Sequence, residues 1–137
     1  MKGISVWQPW ASLIAVGAKR FETRGWRTPN CQIGQDLAIC SAKTNKGIHL
    51  SMTDRRLRGI CLERLGSLPL PMGAVVAVVT VMACIRMPPL ESEEPGYLER
   101  TVGDWSDGRW AWSLGNLRAL AMPVSVLGSQ HLFDLSA

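Results

Sequence analysis

Lys19, Glu22 and Arg24 crowd into one short segment, GAKRFETR. An amine and a carboxylate that share a partly dry cavity shift each other's pKa. One of them can then serve as a base or activate a nucleophile. The same pair can equally close a turn as a plain ion pair. Arg24, and Arg109 far along the chain, carry planar forks that suit a phosphate or a base edge. They also suit a structural pairing with Asp104 or Asp107. Gln8, Ser41 and Lys43 are further polar candidates. Trp7, Trp26 and Trp110 are flanked by polar or charged residues and are candidates for stacking on bases. Trp10 and Trp112 read instead as core. These residue types describe a basic cavity with aromatic walls, and they do not by themselves specify an enzyme.

Several large enzyme classes lack their signatures here. Neither His49 nor His131 lies in H-E-x-x-H, or in H-x-E followed by P-C-x-x-C, so a zinc deaminase or zinc protease is not indicated. Neither G-x-S-x-G nor G-x-x-x-x-G-K-[ST] occurs. No set of carboxylates at ligand spacing marks a metal site. Cys31, Cys40, Cys61 and Cys84 form no C-x-x-C pair and read as reduced core thiols.

The elements that must hold the charged segment follow from its neighbours. Ile4–Val6 reads as a first strand. Pro9 suits the first turn of a helix, and Trp10, Leu13 and Ile14 make its apolar stripe. Gly17 can adopt the left-handed conformation that ends it. Lys19–Arg24 then alternates with period two, with Phe21 and Thr23 on one face and Glu22 and Arg24 on the other. On a strand Lys19 and Glu22 would point apart; if Lys19 still belongs to the turn after Gly17, it can swing to the side of Glu22. Asp36–Ser41 reads as a buried strand. Ser51-x-x-Asp54 resembles a capping box opening a second helix, with Leu57, Ile60, Cys61 and Leu65 facing inward. Ala74–Cys84 is nearly all β-branched or small and reads as a central, doubly buried strand. The acidic stretch 88–100 reads as a loop. Arg109–Leu114, Val124–Leu127 and Leu132–Leu135 read as the last strands. The pattern predicts an α+β fold, a small mixed β-barrel of about six strands with helices at its mouth.

A chain of 137 residues, 47% of them hydrophobic and 19% charged, is sized and composed as one globular domain. The longest apolar run is too short for a membrane span, and Lys2 followed by a strand-like segment does not read as a signal peptide. A cytoplasmic location is expected. The net charge of +4 is uneven, because 11 of the 15 basic residues lie in the first 64 positions. A basic half suggests contact with phosphates, though a solvated basic face is its plainer reading.

The segment S-V-W-Q-P-W-A-S-L-I-x-x-G-x-K-R-x-E-T-R-x-W, with G-A-V-V-A-V-V and G-D-W-S-D-G-R-W-A-W-x-L further on, resembles the ASCH domain family. The resemblance runs from Ile4 to about Phe133 and implies that residues 1–137 form a single ASCH domain, a PUA-like barrel with two to three helices flanking its mouth. It implies a cleft beside the first helix that binds RNA or modified nucleosides. Two activities are reported in the family. One is hydrolysis of the acetyl amide of 4-acetylcytidine through a Lys-x-x-Thr arrangement with a distant Glu; the other is a divalent-metal-dependent ribonuclease, for which Mn or Mg would be the ion. Lys19 matches the lysine of the first pattern, but Glu22 stands where that pattern has threonine. Cys40-Ser41-Ala42-Lys43 stands where the family commonly has H-A-S-K.

The expected function is therefore an RNA- or nucleoside-binding protein, with hydrolysis of RNA or of a nucleobase amide as its candidate chemistry. Lys19 and Glu22 would be catalytic. Trp7, Gln8, Arg24, Trp26, Ser41, Lys43, Arg109 and Trp110 would bind the substrate. The alternatives are a metal-dependent ribonuclease and a non-catalytic module for RNA, a small ligand or a protein.

Overall fold

The β-branched run near the middle of the chain organises the sheet. In the computed structural model, which describes residues 1–67, 69–87 and 95–135, this run forms strand β4, Ala74–Arg86. Its first half is buried on both faces, while its second half, from Met82, emerges toward solvent. The other strands are β1 (Lys2–Val6), β2 (Phe21–Arg24), β3 (Asp36–Ser41), β5 (Trp110–Ser125) and β6 (Phe133–Asp134). They curl into a half-barrel in the order β2-β5-β4-β3-β1-β6. Only β1 and β3 run parallel; the other pairs are antiparallel.

Strand β5 joins two segments that the sequence reads as separate strands. Pro123, which has no N–H to give a ladder, lies where the β4–β5 register jumps between Val75↔Val124 and Ala77↔Ala119. The bulge absorbs the extra residues and leaves that N–H unneeded, so one strand passes through a position that reads as a break.

Four helices lie among the described residues: α1 (Trp10–Ala15), α2 (Lys46–Thr53), α3 (Arg55–Leu65) and α4 (Tyr97–Val102). Two of them correct expectations. The helix expected to open at Ser51 begins at Arg55, with Asp54 as its cap; the Asp54 carboxylate accepts from the N–H groups of Arg56 and Leu57. Ser51 belongs to α2, which carries no side-chain cap to announce it. Within the expected 88–100 loop, residues from Tyr97 onward are helical, and residues 88–94 lie outside the described residues. Cys31 is exposed, unlike the other three thiols.

Two apolar clusters fix the site's supports. Ile4, Ile14, Leu37, Ile39, Val79, Val81 and Trp112 pack α1 onto the sheet. Leu13, Ala18, Leu57 and Val102 join α1, α3 and α4 on the outer side. The junction between α1 and β2 is thus held from both sides. Each buried aliphatic or aromatic side chain in these clusters contributes roughly 1.5–3 kcal/mol.

Candidate functional site

The sharp exit from α1 places Lys19. Gly17 takes φ +82°, and the N–H groups of Ala18 and Lys19 both turn back to the carbonyl of Leu13. Lys19 therefore precedes the strand and is free of its alternation. Its ammonium approaches Glu22 Oε1 at 3.9 Å, and both side chains are almost fully buried. Glu22 Oε2 accepts from Arg24 Nε at 3.0 Å and lies 2.8 Å from Arg24 Nη2. Arg24 also donates to the Ser5 carbonyl at 2.7 Å. The result is a buried string of alternating charge, Lys19–Glu22–Arg24.

This string lines a cavity of about 430 Å³. Trp7 and Trp10 from the β1–α1 turn supply its aromatic wall, Leu50 comes from α2, and Val102 to Asp104 from the end of α4. Arg109 reaches it from the start of β5, where it donates to the Thr23 carbonyl at 2.8 Å and faces Asp104 at 3.4 Å. The expected basic cleft is therefore zwitterionic. Three cations line it together with two carboxylates, and every one of these cations faces a carboxylate. The basic surplus of the first half lies elsewhere, largely on the exposed α3 arginines Arg55, Arg56, Arg58 and Arg64.

Burial sets the protonation behaviour. It holds Lys19 below its usual 10.5, opposed by the carboxylates Glu22 and Glu99. Burial likewise pushes the Glu99 carboxyl above its usual value, opposed first by its hydrogen bond from the Arg20 N–H and then by Lys19. Glu99 Oε2 is shielded and has no hydrogen-bond partner. Sequence reading missed Glu99, because the acidic stretch around it carries turn-forming proline and glycine. Once α4 forms, the Trp105 indole N–H donates to the Glu99 carbonyl, and Trp105 meets Phe21 edge-on at 5.3 Å. These contacts seat α4 against the first residues of β2.

Lys19, Glu22, Arg24, Arg109 and Trp7 meet in this one cavity, and the other expected site residues stand outside it. Gln8 is fully buried and fastens α1: its amide donates to Ser12 Oγ and to the Pro71 carbonyl, and its oxygen accepts from the Ser12 N–H. Ser41 bridges the Ala74 N–H and carbonyl. Trp26 packs edge-on against Trp112 and His131. Trp110 lies between the guanidinium groups of Arg27 and Arg86. Lys43 lies in a neighbouring hollow, its stem over Gly73. Among the described residues no group of three or more His, Cys, Asp or Glu stands close enough to hold a metal ion, and no helix is long and apolar enough to cross a membrane.

Comparison with known proteins agrees with this geometry at the level of fold. Activating signal cointegrator 1 of Homo sapiens is 26% identical over 137 residues, covering 98% of this chain, and the Mus musculus protein of that name is 25% identical. The chain spans only 22% of the length of these relatives. The ASCH protein of Zymomonas mobilis superposes with a TM-score of 0.57 over 98% of this chain and 87% of its own, at 16% identity. A mutant of that protein gives the same score over 89% of its length, also at 16% identity. The family model of the ASCH domain matches residues 4–112, which hold the whole Lys19–Glu22–Arg24 string and Arg109, and the chain belongs to the ASCH domain family.

Proposed function

We propose that the cleft binds a nucleobase, presented by a nucleoside or by RNA, with residues 1–137 acting as one ASCH domain. The observation that carries this reading is the buried Lys19–Glu22–Arg24 string at the floor of an aromatic-walled cavity. A uniformly basic pocket would favour phosphate. A paired acceptor and donor beside an indole suit instead a flat ring with donors and acceptors on its edge. Glu22 Oε1 has lone pairs to spare for an exocyclic amine. Trp7, 41% exposed, offers a ring face to stack on. Arg109 is placed to meet a carbonyl or phosphate oxygen at the rim. The cavity's volume lies within the usual range of small-molecule sites, roughly 300–1,000 Å³.

Equilibrium binding of cytidine, uridine, adenosine, guanosine and 4-acetylcytidine to the wild type and two variants tests this reading. Glu22→Gln removes a charged acceptor worth about 1.5–3 kcal/mol, a loss of roughly tenfold to a hundredfold in affinity. Trp7→Ala, at an exposed position that leaves the fold intact, removes a stacking face of similar worth, about 1–3 kcal/mol per base. Unchanged affinity in both variants would refute the assignment.

A hydrolytic reading is favoured by the lowered pKa of Lys19. A neutral amine next to Glu22 can take a proton from water as that water attacks an amide carbonyl, so that 4-acetylcytidine would yield acetate and cytidine. Release of cytidine by the wild type but not by Lys19→Met supports it; equal traces from both proteins exclude it. The residues do not fit a divalent ion, because Glu22 and Asp104, the two carboxylates lining the cavity, are engaged by Arg24 and Arg109.

A further inference from the structure

The cleft does not end at Arg24. A second hollow of about 270 Å³ shares Ser5, Trp7 and Arg24 with it and continues to Trp26 and His131. A third, of about 320 Å³, shares Ser5, Ala42, Ser129 and Gln130 with the second and ends at Lys43. The three form one trough across the mouth of the half-barrel. Its chemistry changes along its length. The first compartment holds the charge string and the indoles of Trp7 and Trp10. The second holds aromatic surface again, from Trp7, Trp26 and His131. The third is walled by polar residues and closed by an exposed ammonium.

That last group is positioned. The stem of Lys43 lies directly on Gly73, where an added Cβ would come within 2.8 Å of it. The loop that forms the far wall is pressed on the sheet in the same way, since a Cβ on Gly128 would stand 2.6 Å from Ser5 Oγ. Bare backbone at these two points lets the trough run unbroken from Glu22 to Lys43.

A single nucleoside fills one compartment. We infer that the trough accepts a single-stranded polynucleotide, with one base on the Lys19–Glu22–Arg24 floor, a neighbouring base against Trp26 and His131, and a flanking phosphate at Lys43. Alternating aromatic and cationic surface is the way proteins follow an unpaired strand, with stacking faces for successive bases and point charges for the backbone. The inference rests on the base-binding reading above and names its substrate class: a strand, not a free nucleoside.

The test measures the affinities of the four nucleoside 5′-monophosphates and the four homotrinucleotides, each in RNA and DNA form, over a series of salt concentrations. The variants are Lys43→Ala, remote from the charge string, and Trp26→Phe, which keeps an aromatic ring. The best trinucleotide is expected to bind at least tenfold tighter than its monophosphate. Lys43→Ala should weaken the trinucleotide several-fold, lower its salt slope by about 0.7 as one lost phosphate contact requires, and leave the monophosphate unchanged. Trp26→Phe should weaken only the trinucleotide. Tighter trinucleotide binding in either sugar series supports the trough, and the stronger series identifies the strand. Equal affinity of monophosphate and trinucleotide, or an unaltered salt slope in Lys43→Ala, overturns the trough while leaving base binding in place. No binding of any monophosphate or trinucleotide overturns both.

Discussion

Replacing Glu22 by glutamine should damage the fold in a way that Lys19 controls. Lys19 is 3% exposed and faces Glu22 at 3.9 Å. At an effective dielectric constant of about 20, two unit charges at that distance attract by about 4 kcal/mol. Lys19 can limit the loss by shedding its proton. Arg24, at 22% side-chain exposure, can turn part of its charge to water. Together these leave an expected cost of about 3 kcal/mol for Glu22→Gln near neutral pH, at the lower end of the roughly 3–5 kcal/mol for breaking a buried pair. Lys19→Met should cost little, because Glu22 keeps Arg24. Combining the two removes the stranded ammonium, so the double variant should be more stable than Glu22→Gln alone. The coupling in a urea-denaturation double-mutant cycle is then about 2 kcal/mol. The penalty should also depend on pH. Burial lowers the folded-state pKa of Lys19 below 10.5, so the unfolded chain holds that proton more tightly. Wild-type stability therefore gains from this group as pH rises from the folded pKa toward 10.5, and Lys19→Met lacks the gain. Once Lys19 is neutral in the wild type, its share of the Glu22→Gln penalty disappears. A coupling within 0.5 kcal/mol of zero, or a penalty that grows with pH, would refute the reasoning.

Three further outcomes follow from other contacts. Glu99→Gln keeps an oxygen for the Arg20 N–H; because burial raises the folded pKa of Glu99, wild-type stability from this group is present below about 4.5 and lost as pH rises through the folded pKa. The difference in melting temperature between variant and wild type should accordingly shift in favour of glutamine from pH 4 to pH 7, and a constant difference would contradict it. Gly47→Ala places a Cβ 2.2 Å from the Gln8 carbonyl and 2.7 Å from the Trp10 ring; a loss of at least about 1–3 kcal/mol, typical of overpacking, together with weaker base binding, is expected, and wild-type stability would show that α2 does not press on the tryptophan wall. Asp54→Ala removes the α3 cap and should cost about 1 kcal/mol in denaturation without altering the cleft.

The sequence made the elements legible wherever local chemistry and burial agreed. Asp36–Ser41 is a strand with the bounds its apolar run suggests, and Gly17 turns the chain as its missing side chain allows. That turn is also why Lys19 and Glu22 meet despite a spacing that would separate them on a strand. Where punctuation and tertiary pairing conflicted, pairing prevailed. Pro123 reads as a break but rests in a bulge, and the proline- and glycine-bearing acidic stretch still yields α4 once its C-terminal end packs on Phe21. Glu99 was hidden for that reason, since no spacing rule links it to a lysine eighty positions earlier. Gln8 and Ser41 show the converse. Their polarity suggests binding, but buried backbone groups at Ser12, Pro71 and Ala74 take up their hydrogen bonds.

A crystal structure of the protein soaked with the tightest-binding nucleoside tests the central claim most directly. The account predicts the base lying against Trp7, with one edge atom within about 3.2 Å of Glu22 Oε1 and the sugar directed toward Arg24. A nucleoside lodged elsewhere, or one held in the cleft only by its sugar with Glu22 untouched, would contradict it.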